Sequence, residues 1–297
     1  MRRLAACVFA LSLMLAALGS RPVTATPLTE EQQTAVARRV EIYLRYLFAW
    51  GPETGVKVTS MHESAIPGLY SAIVEVNLGE RRGQEVVLVS ADGRYLVRGD
   101  FHDTTEDPFA QVRQTVILAG HPSKGPADAP VIIVEYGDFQ CATCAELYPT
   151  MKKLLAERKD VRLVYKDLPL TRIHDWALAA AVAGQCAFRQ SPDAFWRLHD
   201  FLFENQKQIT KDNLDVRLDA LAPLLELRLE EFRTCRTQEA TRATVEESLR
   251  EATELGLRNT PSLFINARPL AGAQSYDAIL HLIEYELYLQ KQGSAPR

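Results

Sequence analysis

The sequence predicts an α/β fold with an inserted helical subdomain, preceded by a small α+β domain. Three observations predict it. A β-branched run at residues 131–134 leads into a Gly137-Asp-Phe-Gln140 turn, a Cys141-x-x-Cys144 pair and a helical pattern to residue 158. With a second apolar strand at 161–165, this reads as a βαβ unit with buried strands. Helical patterns then run from about residue 171 to 255, too long for a simple crossover, before a strand at 262–266 and a helix at 276–290. Ahead of these, residues 27–118 carry helix and strand signals, and the small-residue, Gly- and Pro-rich stretch 119–130 reads as a linker.

A chain of 297 residues has room for about two domains, and 47% hydrophobic with 24% charged residues excludes disordered and repeat classes. The 34 basic and 38 acidic side chains give a net charge of −4 with no basic patch among aromatics, so no nucleic-acid partner is expected. Arg2-Arg3, an apolar run over 4–18 and Val23-Thr-Ala25 have the pattern of a secretory signal over residues 1–25. The apolar run is short of the roughly 20 residues that span a bilayer. Cys7 would leave with the signal, and four cysteines would remain in a periplasmic or otherwise extracytoplasmic protein, where disulfides persist.

In the first domain, Thr29-Glu-Glu-Gln32 is a capping box opening a helix, with Val36, Val40, Tyr43, Leu44 and Leu47 on its apolar face and Gly51-Pro52 ending it. Strands follow at 56–62 and 69–78. Those at 86–90 and 95–98 flank Ala91-Asp-Gly93, a hairpin signal. Asp107-Pro108 then starts a helix to about residue 118. His62, His102 and His121 have no partner at ligand spacing and read as surface histidines.

In the second domain, the insert reads as helices over 176–188, 193–204, 214–229 and 239–255, and the chain returns through Ala267-Arg268 and a short edge strand at 269–270. Trp176, Phe195, Trp196, His199, Phe201 and Phe203 recur at helical spacing, a pattern that serves core more often than a ligand box.

Four groupings carry chemistry. Cys141 and Cys144 sit where a strand hands over to a helix N-terminus, whose free N–H groups and dipole favour a thiolate. Cys141 would be the exposed, activated sulfur and Cys144 the buried one that resolves a mixed disulfide. The competing reading, half a zinc site, lacks a second ligand pair, so no metal is expected. Thr260-Pro261, directly before a strand, is a candidate cis peptide, against an ordinary trans turn. Glu135 lies in an apolar run and needs a partner if buried, and Lys166 at the corresponding end of the second strand is the expected one. That pair would handle the Cys144 proton, or serve only as a structural ion pair. Cys186 and Cys235 point inward in the insert and would form a structural disulfide in an oxidising compartment, or stay as two buried thiols.

Taken together, Glu135-Tyr-Gly-Asp-Phe-Gln-Cys-Ala-Thr-Cys144, Tyr165-Lys-Asp-Leu-Pro-Leu170, Ile173-His174, Phe195-Trp196, Asn259-Thr-Pro-Ser-Leu-Phe-Ile-Asn266 and Leu270-Ala-Gly272 resemble the DsbA-type branch of the thioredoxin superfamily over about residues 122–292. The resemblance implies a thioredoxin-like fold with a helical insert (about 171–255) in a domain over 131–292, and thiol-disulfide exchange with exported proteins, without a cofactor. It implies Cys141 as nucleophile, Cys144 as resolving thiol, Thr260-Pro261 as the cis-proline loop and Glu135 as the buried acid. Cys186 and Cys235 match a cysteine pair found in part of that branch. Strongly oxidising members carry Pro-His between the cysteines, whereas this chain has Ala142-Thr143 and so no cation there.

Ile66-Pro-Gly-Leu-Tyr70 and the segment 91–100 resemble the dimerisation domain of the periplasmic disulfide isomerases DsbC and DsbG. That implies a homodimer through residues 27–118, against a substrate-docking or spacer role. The expected activity is disulfide formation in exported proteins with free thiols, with a membrane redox partner for recycling. An isomerase or reductase acting from the reduced pair is the alternative, and a holdase-like binder of unfolded chains is a second.

Overall fold

The computed structural model describes residues 27–79, 81–99 and 101–293. The signal sequence expected over 1–25 lies outside the described residues. The described residues divide into two compact units, with the division in the chain between His102 and Asp103.

The first unit is one helix on a four-stranded antiparallel sheet. Helix α1 (Glu30–Leu47) starts at Thr29, where the reciprocal capping box with Gln32 forms. Strands β1 (Gly55–Glu63), β2 (Leu69–Leu78), β3 (Arg81–Ser90) and β4 (Leu96–Arg98) follow in spatial order β1-β2-β3-β4. Val36, Val40 and Leu44 pack on Val56, Tyr70, Ala72, Val74, Val87 and Val89. The alternation along β2 puts Tyr70, Ala72 and Val74 on one face, as a half-buried strand requires. The buried stripe of α1 is narrower than its spacing suggests: Tyr43 and Leu47 are half exposed, beside Ile42 and Tyr46.

The second unit contains α2 (Ala110–Thr115), β5 (Ser123–Lys124), β6 (Val131–Gly137), α3 (Ala142–Glu157) and β7 (Val161–Asp167). The insert supplies α4 (Ala177–Gln190), α5 (Pro192–Glu204), α6 (Leu214–Leu221), α7 (Leu229–Arg236) and α8 (Glu239–Glu254). Strands β8 (Ser262–Ile265) and β9 (Arg268–Ala271) and helix α9 (Tyr276–Lys291) close it. The sheet order is β5-β7-β6-β8-β9, with β6 and β7 parallel and β8 antiparallel to β6. Both faces of β6 and β7 are covered, which is why their sequences are nearly continuous apolar runs. Val131, Ile133 and Tyr165 face α3 and the insert, while Val134, Tyr136 and Val164 face the opposite layer.

Two expectations change here. The helix expected over 214–229 breaks into α6, a 3-10 turn at Ala222–Leu225 and a left-handed Glu226, because Pro223 cannot continue an α-helix. The segment 103–124, expected to be the end of the first domain and a linker, belongs to the second unit. Val112, Val116 and Leu118 pack on the sheet, and Ser123–Lys124 pairs with β7. Hydrophobic burial and strand pairing thus outweigh the linker-like composition.

Cys186 on α4 and Cys235 on α7 are joined by a disulfide, with Cα atoms 5.7 Å apart. The aromatic and histidine stripe is core: Trp176, Phe195, Trp196, His199 and Phe203 are buried.

Candidate active site

Helix α3 begins at the cysteine pair. Cys141 is its N-cap, and Cys144 lies one turn in. The preceding turn is built by Asp138: its carbonyl accepts from Cys141 N at 3.1 Å and its Oδ1 from Gln140 N at 2.7 Å. Its Oδ2 accepts from Leu170 N at 2.8 Å and lies 2.7 Å from His174 Nδ1. Gln206 from the insert donates to the carbonyls of Phe139 and Cys141, both at 2.9 Å. The buried carboxylate of Asp138 therefore ties the cysteine turn to the 168–176 loop. The Gly-Asp-Phe-Gln turn hints at this through its aspartate two residues before a backbone donor. Gln206 gives no local sequence signal.

Thr260-Pro261 is a cis peptide, and Cys141 Sγ donates to the Thr260 carbonyl at 3.4 Å. The Thr260 hydroxyl is buried and has no hydrogen-bond partner among the described residues. The Cys144 thiol is the largest influence that holds Cys141 ionised. It is joined by Thr260 and the N–H groups of Cys144 and Thr143, and together they outweigh burial and bring Cys141 down to about 5. Both cysteines are free thiols; burial pushes Cys144 well up, reinforced by the hydrogen bond and charge of the neighbouring Cys141 sulfur and by the charge of Glu135. Cys141 is more enclosed than expected, at 8% exposed against 0% for Cys144.

Glu135 is buried, and burial pushes its carboxyl up to about 8. The expected Glu135–Lys166 pair does not form. In the parallel β6–β7 register Glu135 stands opposite Tyr165, and Tyr136 stands opposite Lys166. Side chains alternate along a strand, so Glu135 faces the cysteine layer and Lys166 the opposite one. Lys166 Nζ instead pairs with Glu251 on α8 and donates to the Ile117 carbonyl at 2.8 Å. Glu251 also accepts from Ile117 N at 3.0 Å and from the Tyr136 hydroxyl. This buried network locks the segment before β5 onto the sheet. Nothing local in the sequence pairs Lys166 with Glu251, 85 positions away, or marks Asp167, which points toward the cysteine layer. Its Oδ2 accepts from Gln185 at 2.6 Å, and burial pushes it up to about 7.

A cysteine pair capping the helix after the first strand of a βαβ core, with a cis Thr-Pro turn against the first sulfur, defines a thioredoxin-type site. Comparison with known proteins agrees: the family model described as Thioredoxin matches residues 119–285, and the chain belongs to that family. Its fold is that of the DsbA-type branch. The crystal structure of oxidised BdbD from Bacillus subtilis superimposes with a TM-score of 0.53 at 26% identity, covering 58% of this chain and 95% of that one. The thiol-disulfide exchange protein alpha-DsbA2 from Wolbachia pipientis shares the fold with a TM-score of 0.53 at 16% identity, covering 60% and 92%.

Among curated relatives, disulfide bond formation protein D of Bacillus subtilis is 26% identical over 177 residues, 57% of this chain and 78% of that protein. The Na(+)/H(+) antiporter NhaA 1 of Salinispora arenicola is 33% identical over 156 residues, 52% of this chain. The chain spans only 23% of that antiporter's length. No helix among the described residues is long and apolar enough to cross a membrane.

Proposed function

We propose that the chain is an exported thiol-disulfide oxidoreductase that forms disulfides in exported proteins. The observation that carries this reading is the placement of Cys141 at the N-cap of α3, 3.4 Å from the Thr260 carbonyl of the cis-Pro261 turn, with Cys144 fully buried one turn in, a setting that favours a thiolate at Cys141 and a neutral thiol at Cys144. A stable Cys141 thiolate favours the reduced pair, and a disulfide whose reduced form is stable is an oxidant toward other thiols.

A substrate thiolate attacks Cys141 Sγ of the oxidised pair. The Cys141–Cys144 bond breaks, a mixed disulfide forms at Cys141, and the electron pair leaves on Cys144, which takes up a proton. A second substrate thiolate then attacks the substrate-side sulfur and releases Cys141 as a thiolate. The substrate dithiol is oxidised and the Cys141–Cys144 pair reduced. The Thr260 main chain at the cis-Pro261 turn aligns an extended substrate beside Cys141. Glu135, facing the cysteine layer, supplies and recovers the Cys144 proton; Lys166, on the other face, has no part in that step.

The relatives named for disulfide bond formation support this direction. The signal-like sequence over 1–25 supports export to the periplasm or another extracytoplasmic space. A membrane redox partner would then reoxidise the pair. The first unit, with its resemblance to a dimerisation domain, would pair two chains. That architecture favours the second reading, an isomerase in which reduced Cys141 attacks a wrong disulfide and Cys144 resolves it.

The test is transfer of the Cys141–Cys144 disulfide to a reduced, unfolded protein. Oxidation of that protein, with a mixed disulfide trapped in Cys144→Ser, is the expected result. Full activity of Cys141→Ser would overturn the reading in favour of a binding protein without redox chemistry. Rescue of scrambled ribonuclease by the reduced chain would favour the isomerase.

A further inference from the structure

His174 is bonded to a buried carboxylate beside the cysteine pair, and no step of the exchange chemistry uses it. Its Nδ1 lies 2.7 Å from Asp138 Oδ2; the Asp138 side chain is fully buried, whereas His174 keeps 18% of its own exposed. A carboxylate only accepts, so Nδ1 carries the proton and donates. The other two donors to this carboxylate are main-chain groups, Gln140 N at 2.7 Å and Leu170 N at 2.8 Å. Among the described residues, His174 is therefore the one side chain that bonds it.

Both ends of the contact are fixed. On the His174 side, Ile173 N and His174 N donate to the Leu170 carbonyl at 2.9 and 3.0 Å. The next two residues are laced to the cysteine turn by Gln140, which donates to Asp175 at 3.0 Å and accepts from Trp176 N at 2.8 Å. On the Asp138 side the bonds lead to the sulfur. The Asp138 carbonyl accepts from Cys141 N at 3.1 Å, and its carboxylate holds Gln140, the residue before. No side chain caps the first N–H groups of α3, which leaves those of Thr143 and Cys144 to a charge on Cys141. Whether the Cys141 sulfur reaches them depends on the main chain over 138–141.

We propose that His174 is a positioning residue for Cys141: its Nδ1–H bond to Asp138 holds the 138–141 turn in the form that the reduced pair needs. The inference rests on the thiol-disulfide exchange reading above. In the oxidised pair the S–S bond ties Cys141 to α3 covalently. Reduction by two glutathione thiols breaks that bond, forms glutathione disulfide, and leaves a Cys141 thiolate, a Cys144 thiol and one proton released to solution. Hydrogen bonds alone then keep the Cys141 sulfur at the helix N–H groups and beside the Thr260 carbonyl. The clamp thus stabilises the reduced pair more than the oxidised one, and the disulfide becomes a stronger oxidant by the same factor.

His174→Ala removes the donor, and His174→Asn puts an amide N–H back near the Nδ1 position. The alanine variant should shift the equilibrium of the Cys141–Cys144 pair with glutathione at least about fivefold toward the disulfide, in line with the loss of one charge-assisted hydrogen bond. Iodoacetamide should label its Cys141 with a higher pH midpoint than in wild type, and its melting temperature should fall further in the reduced protein than in the oxidised one. His174→Asn should recover most of the shift in equilibrium. An unchanged equilibrium with equal melting losses in both redox states would make His174 a prop for the fold alone and overturn the proposal. An asparagine variant no better than alanine would overturn it too. All of these readings are taken on the cysteine pair itself, with no protein substrate. A wild-type chain that equilibrates with glutathione but never oxidises an unfolded protein would sink the functional reading and leave the His174 result standing.

Discussion

Cys141 Sγ lies 3.4 Å from the Thr260 carbonyl oxygen, although 119 positions separate the two residues. The contact joins the helix N-terminus to the turn before β8 and places the reactive sulfur beside the main-chain groups of Thr260. Under the proposed function, a substrate segment paired with those groups would have its sulfur beside Cys141, so recognition and chemistry would share one place.

Cys141 should titrate far below an ordinary thiol. In the reduced protein, iodoacetamide at pH 7 should label Cys141 and spare Cys144, with a rate that rises around a midpoint near 5. A thiol whose folded value is depressed stabilises the folded state above its unfolded value of about 8.5. That stabilisation fades as pH falls through about 5. Reduced wild type should therefore lose its melting advantage over Cys141→Ser between pH 8 and 5, and a constant difference would count against the thiolate.

Glu135→Gln should separate activity from stability. The folded carboxyl keeps its proton to about 8, whereas the unfolded one ionises near 4.5. The folded state then binds more protons between those values, so Glu135 subtracts stability progressively as pH rises through that window. The glutamine variant should melt higher at pH 7.5 than wild type, match it near pH 4, and exchange disulfides more slowly. Melting curves and stopped-flow exchange across pH 4–9 check both halves.

The Lys166–Glu251 pair should be structural. Lys166 is fully buried and Glu251 nearly so. Lys166→Met alone leaves an uncompensated carboxylate and should cost about 3–5 kcal/mol. Pairing it with Glu251→Leu should recover much of that loss. Urea titrations of the two single variants and the double variant measure the coupling, and purely additive costs would show that the ions do not interact.

Residues 103–118 should be needed for the second unit to fold. A fragment starting at 103 should melt cooperatively. One starting at 119 loses Val112, Val116 and Leu118 from the sheet and strips Lys166 and Glu251 of their Ile117 partners. It should be markedly less stable by circular dichroism, and equal melting of the two fragments would place the working boundary after 118.

Much of the site was legible because its signals are local. The strand before Gly137, the cysteine pair and the helix after it follow one another within about 30 residues, and each is set by its own composition. Thr260-Pro261 is readable as a turn because proline limits its neighbours. Register is not local. Glu135 and Lys166 sit at matching strand ends, but a one-residue offset between strands sends their side chains to opposite faces, and only the paired sheet sets that offset.

The sequence by itself determined which elements form and where the reactive sulfur stands, because β-branched runs, caps and the strand-to-helix handover act over a few residues. Tertiary structure decided which groups surround that sulfur. It turned Glu135 and Tyr165 toward the cysteines, gave Lys166 to Glu251, and drew residues 103–124 into the second unit. Burial and pairing across the sheet bring together residues far apart in the chain, and the free energy of those contacts exists only once the layers have closed.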